Sequence, residues 1–297
     1  MFDLLRGLRQ IFRQARKRVI RLWRFNSAIP RLLRYNPYTG FIGRKLFHYI
    51  PFVLPHDKSY YGFVHLVHPG DGLFLDVGAN DGISAIGFRH IHSDYRILSI
   101  EPNPCHERSL RKLQKRMKRF EYRMIGAGNQ QAQMTLYVPM YNGVPIYTAA
   151  SLQKEYVQRT MQEQHLPSAS DKNIVIFECK VGILPLDELK LGPDIIKIDT
   201  EGFDYEVLMG LAKTVEQYRP HLLVEYNPNL MAQVQEFFNQ RRYCLLTYDY
   251  NNDHFAVFEE AAEKTIYQKY KITTNIFCVP QEKTKGLPIV GQPARQF

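Results

Sequence analysis

The chain is short of several features that would narrow its class. Among 297 residues it has four cysteines, Cys105, Cys179, Cys244 and Cys278, far apart and with no C-x-x-C pair. With no secretory signal legible, these thiols are expected to be reduced and structural. No apolar run approaches the roughly 18 residues needed to span a bilayer, so no segment is expected to cross one. The ten histidines are scattered. His90-x-His92, at an expected helix end, reads as surface rather than as a ligand pair. Acidic residues are scarce at the start: up to Lys45 there are twelve basic side chains and one acid, Asp3, a net +11. The other 27 basic and 28 acidic residues leave the body near neutral at −1. With 45% hydrophobic residues, the chain can build a core in one large or two small domains.

In the basic arm, Leu5, Leu8, Phe12, Ala15, Val19 and Leu22 alternate at spacings of three and four. They share one helical face, with Trp23 beside it and arginines opposite. That pattern suits a helix lying on an anionic membrane interface. It also suits a helix packed on a partner or on the protein's own body, and organelle targeting or nucleic-acid binding is a further reading. A transit peptide would be serine-rich, and no serine precedes Ser27. Without aromatic or glycine-rich interleaving, the arm argues only weakly for nucleic acid.

What is present centres on Phe74 to Gly82, F-L-D-V-G-A-N-D-G. The apolar run Leu73 to Val77, with one embedded acid, reads as a buried parallel strand. The turn after it leads into a helical pattern from Ile83. A strand, a glycine-rich turn and a helix place free N–H groups and a helix dipole around one concavity. Arg96 to Ile100 reads as a second strand ending at Glu101, where an acid in a Rossmann-like sheet accepts hydrogen bonds from ribose hydroxyls. The turn lacks the dinucleotide G-x-G-x-x-G and carries Asp81 where a phosphate would press. A cationic ligand suits that charge better, and S-adenosylmethionine, with an ammonium, a sulfonium and no phosphate, fits.

Between Asn26 and Gly72, short helical candidates are broken by prolines, and Asp57 is a plausible N-cap for a helix through His68. These segments are expected to cover the sheet or the ligand mouth. Cys105 to Arg119 reads as a helix, Tyr122 to Ile125 as a third strand and Met134 to Val138 as a further strand. Pro139 to Lys172, without clear periodicity, is expected to be a lid or substrate-binding insertion, or partly disordered. Ile195 to Ile198 is a strand and Asp199-Thr200-Glu201-Gly202 its turn. Asp199 and Glu201 there could steer a cation, accept a proton, hold a metal, or cap the helix from Phe203 to Gly210. Strands at His221 to Glu225, Tyr243 to Tyr248 and Asn275 to Val279, with a helix from Leu230 to Arg241, complete a seven-strand count beside the further strand at Met134 to Val138. The tail from Gln281 is expected to be loose.

The chain resembles the FkbM-type family of S-adenosylmethionine-dependent methyltransferases. The resemblance rests on D-V-G-A-N-D-G at Asp76 to Gly82, E-P-N-P at Glu101 to Pro104, K-I-D-T-E-G-F-D-Y-E-V-L-M-G at Lys197 to Gly210, and R-P-H-L-L-V-E-Y at Arg219 to Tyr226. It implies an α/β class I methyltransferase (Rossmann-like) fold: a seven-stranded, mostly parallel sheet with helices on both faces and an antiparallel final strand, here preceded by the basic amphipathic N-terminal helix. The organisation expected is an arm at 1–25, a helical cover at 26–72, the methyltransferase domain at 73–280 with the insertion at 139–172, and a tail at 281–297. The implied activity is O-methylation of a hydroxyl on a sugar, glycolipid, polysaccharide or secondary metabolite. Asp76, Gly78, Asn80 and Gly82 would line the methionine side of the cofactor, Glu101 the ribose, and Ala127 the adenine. Asp199 and Glu201 match the family's acidic turn and are the catalytic candidates. No metal is assigned, although Asp199, Glu201 and Glu225 together could hold Mg²⁺.

Rival readings are a non-catalytic membrane-associated cofactor-binding scaffold and an NAD(P)-dependent sugar-modifying oxidoreductase. The latter would use a Tyr-x-x-x-Lys pair, and Tyr267 to Lys271 matches only literally. A nucleic-acid base methyltransferase would carry an Asn/Asp-Pro-Pro-aromatic turn where Asp199-Thr200-Glu201-Gly202 stands. The expected partners are a small-molecule or glycan acceptor, free or lipid-linked, and, for the arm, an anionic membrane surface; the expected location is cytoplasmic, either free or peripheral at the inner membrane face.

Overall fold

A computed structural model describes residue 55 and residues 57–68, 70–162, 174–270 and 274–291. The basic arm and its expected helix, most of the segment between Asn26 and Gly72, part of the 139–172 insertion and Lys271 lie outside the described residues.

The order of elements is β1 (Leu73–Val77), α1 (Ile83–Ile91), β2 (Arg96–Ile100), α2 (Glu107–Arg116), β3 (Phe120–Arg123), β4 (Gly126–Ala127), β5 (Ala132–Tyr141), β6 (Val144–Pro145) and α3 (Lys154–Thr160). There follow β7 (Ile174–Leu184), β8 (Ile195–Ile198), α4 (Asp204–Met209), α5 (Ala212–Tyr218), β9 (His221–Glu225), α6 (Met231–Gln240), β10 (Tyr243–Asp249), β11 (His254–Val257), α7 (Glu260–Tyr270), β12 (Asn275–Pro280) and β13 (Ile289–Val290).

Nine strands form the main sheet in the order β13-β11-β10-β12-β9-β8-β1-β2-β3. β3, β2, β1, β8 and β9 pair in parallel, whereas β12 is antiparallel to both β9 and β10. β1 is buried at all five positions, as a strand covered on both faces must be. Its side chains alternate. Leu73, Leu75 and Val77 enter a core with α4, α5 and α6, through Val207, Val215 and Phe238. Phe74 enters the opposite core with α1 and α2, stacked on Phe88 at 4.0 Å between ring centroids. The chain runs outward from β1 through β2 to β3 and returns to β8 on the other side of β1. The carboxyl ends of β1, β2 and β8 therefore flank a topological switch point, where open α/β sheets bind ligands.

Several sequence expectations need correction. Met134 to Val138 is not a strand of the main sheet. It is the middle of ten-residue β5, which pairs antiparallel with β7 along its whole length in a second sheet ordered β4-β7-β5-β6. The insertion boundary at Pro139 therefore cuts a strand. Pro139 is tolerated because a strand needs its carbonyl there, and that carbonyl accepts from Ile146 N at 2.8 Å. The third strand begins two residues before Tyr122 and ends at Arg123. The tail is not loose up to Val290: Gln281 N donates to Arg242 O at 3.0 Å, and β13 pairs with β11. Together β11 and β13 extend the expected seven strands to nine. Asp57 caps as expected, accepting from Ser59 N at 2.7 Å, but the helix it starts is a 3-10 helix, Lys58–His65. That helix buries Tyr60 and Phe63 against the α1 face of the sheet and contributes nothing to the ligand cavity.

Candidate active site

A cavity of about 320 Å³ opens at the carboxyl ends of β1, β2 and β8 and is roofed by the second sheet. Its floor is the turn after β1. Gly78 N and Ala79 N donate to Ile100 O at 3.0 and 3.2 Å, tying the turn to β2. Gly78 has φ of +80°, and a Cβ there would stand 1.8 Å from Asp199 O, so only glycine lets the two turns meet.

Asn80, also left-handed at φ 52°, turns its N–H onto Glu101 Oε2 at 2.7 Å, while Asn103 N donates to Oε1 at 2.8 Å. Glu101 is thus oriented by two backbone donors, and each oxygen keeps a lone pair for a ligand hydroxyl. Burial raises this carboxyl to about 7, against the pull of those two N–H groups and of Lys197. Beside it, buried Asn103 carries an Nδ2 with no partner, a donor at the cavity wall awaiting an acceptor.

Asp76 is fully buried and does not reach the cavity. Its Oδ2 accepts from Ser84 Oγ at 2.7 Å and Ser99 Oγ at 2.8 Å, and its Oδ1 faces Lys197 Nζ at 3.8 Å. The expectation that Asp76 lines the methionine side is therefore corrected: it braces the floor from below. Gly82 is also absent from the lining. At φ +91° it precedes α1, and a Cβ there would press on Leu113 at 2.6 Å. Gly78, Asn80, Glu101, Ala127, Asp199 and Glu201 do line the cavity, with Ala127 arriving on β4 through its pairing with β7.

Lys197 is the member that sequence reasoning left without a role. It is 5% exposed and donates to Gly78 O at 3.0 Å and Asp199 Oδ2 at 3.1 Å, so one ammonium joins the floor turn to the acidic turn. Burial alone would lower it, but Asp199 and Asp76 outweigh burial and hold it above the ordinary lysine range. Its signal was a charge inside the apolar strand I-I-K-I, which only a buried counter-ion explains.

Asp199 and Glu201 do not cap α4. No side chain caps that helix. Instead its first residue, Asp204, accepts from Thr200 N at 2.9 Å and Thr200 Oγ1 at 3.0 Å, pinning the turn from within the helix. Burial raises Asp204 to about 6. The turn is left-handed at Glu201 (φ 51°) and Gly202 (φ 90°). Glu201 Oε2 accepts from Tyr156 OH at 3.0 Å, and burial followed by the nearby Asp199 charge pushes the Glu201 carboxyl well above its usual range. The roof completes the enclosure with Leu136, Leu152 and Tyr147, whose ring meets buried His106 edge-on at 4.5 Å. Burial lowers His106 to about 4. Among the described residues, no group of three or more His, Cys, Asp or Glu side chains is arranged to hold a metal ion.

A mostly parallel sheet reversing at β1, with an antiparallel strand between β9 and β10, is the class I methyltransferase fold. The family model of the Methyltransferase FkbM domain matches residues 76–268, and the chain belongs to that family of S-adenosylmethionine-dependent methyltransferases. Among curated proteins none matches it. Among solved structures it is similar to the methyltransferase FkbM from Methylobacillus flagellatus KT, at 15% identity and a TM-score of 0.44, over 73% of this chain and 47% of that one. The chain thus spans about half the length of that relative. It is also similar to precorrin-6y C5,15-methyltransferase from Geobacter metallireducens GS-15 (12% identity, TM-score 0.39, 75% of this chain and 87% of that one). A third likeness is to the fibrillarin pre-rRNA processing protein of Methanococcus jannaschii (11%, 0.37, 72% and 70%).

Proposed function

We propose that the protein methylates a hydroxyl oxygen, with Glu201 accepting the hydroxyl proton and Asp199, held by Lys197, stabilising positive charge beside it. The observation that carries this reading is the different environment of the two carboxylates of one turn. Asp199 is bonded to the Lys197 ammonium at 3.1 Å through Oδ2 while also lining the cavity. Glu201 is bonded to a neutral phenol and pushed up by burial, the direction that makes its carboxylate a stronger base.

The cavity fits S-adenosylmethionine. Its volume is at the lower end of ligand pockets, roughly 300–1,000 Å³. Glu101, oriented by two backbone N–H groups, would accept from the ribose hydroxyls, and the partnerless Asn103 Nδ2 would donate to the nucleoside. Asp81 and Asp199 in the lining favour a cationic ligand and oppose a pyrophosphate. When bound, the cofactor supplies an electrophilic methyl group on a sulfonium leaving group. The protein's own part is then alignment and proton acceptance: a hydroxyl within reach of Glu201 attacks the methyl group and loses its proton to that carboxylate. The acceptor class favoured is a sugar hydroxyl of a small molecule or glycan. A lipid-linked glycan at an anionic membrane face would bring the basic arm and the active site to one surface.

Methyl transfer from labelled S-adenosylmethionine to a panel of glycans and lipid-linked glycans tests the reading. Glu201→Gln should lower turnover by roughly two to four orders of magnitude while leaving cofactor binding intact. Full turnover in that variant removes Glu201 from the chemistry.

A further inference from the structure

We propose that Tyr156 is a positioning residue for the Glu201 carboxylate, and that the insertion carrying it completes the proton-accepting site. This rests on the assignment of Glu201 as the base.

The insertion is fastened to the acidic turn at three successive points. Ser151 Oγ donates to Glu201 O at 2.7 Å, Gln153 Nε2 donates to Gly202 O at 3.0 Å, and Tyr156 OH donates to Glu201 Oε2 at 3.0 Å. The first two bonds engage the carbonyls of the two left-handed residues, whose conformation needs external support. The third engages the functional group itself. The Tyr156 ring also fills the space over Gly202, where a Cβ would stand 2.6 Å from the ring. Tyr156 is buried and absent from the cavity lining, so it acts through Glu201 and not on a ligand. It engages one of the two carboxylate oxygens, Oε2.

The charged and titratable groups around this pair come from four elements. Lys197 and Asp199 face Glu201 from β8 and its turn, and Asp204 faces it from α4. Glu225, at the end of β9, faces Tyr156, and Arg159 of α3 lies over its ring at 5.6 Å. Asp199, Asp204 and Glu225 all disfavour a further negative charge, and burial adds to that. Lys197 and the Tyr156 hydroxyl are the groups that stabilise the Glu201 carboxylate, and Lys197 is bonded to Asp199. A hydrogen bond to the ionised form lowers the pH at which a carboxyl gives up its proton. Tyr156 therefore keeps Glu201 usable as a base despite its burial.

The test is a titration of the full-length protein labelled with carbon-13 at the glutamate side-chain carboxyl, followed by NMR. The Glu201 resonance is identified by its loss in Glu201→Gln. In Tyr156→Phe, which keeps the ring over Gly202 and removes only the hydroxyl, the midpoint should move up by about one pH unit or more. An unchanged or lowered midpoint overturns the proposal, since a merely structural tyrosine would leave the carboxyl alone or let water reach it. A second measurement needs no variant. Tyrosine labelled at Cζ should show the Tyr156 resonance following the Glu201 midpoint in the wild-type protein, and its failure to follow also overturns the proposal. Binding of S-adenosylhomocysteine to the same samples separates the two readings. Its absence from wild-type protein withdraws the methyltransferase site without touching the tyrosine-carboxylate pair, whereas normal binding with an unmoved midpoint rejects the pair alone.

Discussion

Replacing Lys197 with methionine probes the link between the two turns that build the cavity floor. The ammonium contacts Gly78 O at 3.0 Å, Asp199 Oδ2 at 3.1 Å and Asp76 Oδ1 at 3.8 Å. Asp76 is fully buried, and its Oδ1 has no hydrogen-bond partner. Methionine fills nearly the same volume, so the variant removes charge with little loss of packing. Leaving a buried charge uncompensated costs about 3–5 kcal/mol. In a chain of this size that corresponds to a fall in Tm of roughly 6–20 °C. Scanning calorimetry at neutral pH measures it, and the double variant Asp76→Asn with Lys197→Met should recover part of the loss, since the fully buried charge at Asp76 is then gone and Asp199 is partly exposed to solvent. The pH dependence has a definite sign. The lysine is raised above its ordinary 10.5, so its contribution is full below 10.5 and is lost only as pH climbs past that value. The gap between wild type and variant should stay constant from pH 7 to 10. A Tm within about 2 °C of wild type, or strict additivity in the double variant, would refute the account of the floor.

Two further perturbations follow from the geometry. Gly78→Ala would set a Cβ 1.8 Å from Asp199 O at φ +80°, so the floor and acidic turns must part. Binding of S-adenosylhomocysteine, read by calorimetry, should weaken at least tenfold, and wild-type affinity would mean that the contact between the turns does not shape the site. For the basic arm, deleting residues 1–25 should abolish sedimentation with anionic vesicles, and equal sedimentation of the full-length and shortened chains would exclude the arm as the membrane contact.

The parts of the site legible in the sequence are those whose chemistry is local. Gly78 and Asn80 announce a left-handed turn after a strand, and Glu101 stands at the end of the next strand, so both could be assigned without knowing what packs on them. Asp76 was misassigned because an acid in a buried strand reads alike whether it faces a ligand or, as here, Ser84 of α1, Ser99 of β2 and Lys197 of β8. Tyr156 was illegible for a different reason. Its partner Glu201 is 45 residues away, and α3, which carries it, is only seven residues long, too short for a helical period to stand out. β5 was read short because Pro139 interrupts an alternation that its pairing with β7 restores. The final strands were missed because β13 is two residues long and is recruited by the edge of β11 rather than by its own pattern.

The most direct test of the central claim is calorimetric titration with S-adenosylmethionine, S-adenosylhomocysteine and NAD, on wild type and Glu101→Ala, between pH 5.5 and 8.5. Burial raises Glu101 from its ordinary 4.5 to about 7, so it is protonated at the lower end of that range and ionised at the upper end. Only the carboxylate accepts from both ribose hydroxyls, so affinity for the adenosyl ligands should rise as pH passes through about 7. By the same linkage, this group's contribution to folding stability declines between pH 4.5 and 7, because the folded form holds its proton longer than the unfolded chain. The account predicts micromolar binding of both adenosyl ligands, none of NAD, and a loss of about 10- to 100-fold in the variant together with the pH dependence. Binding of NAD in their place, or adenosyl binding indifferent to both Glu101 and pH, would contradict it.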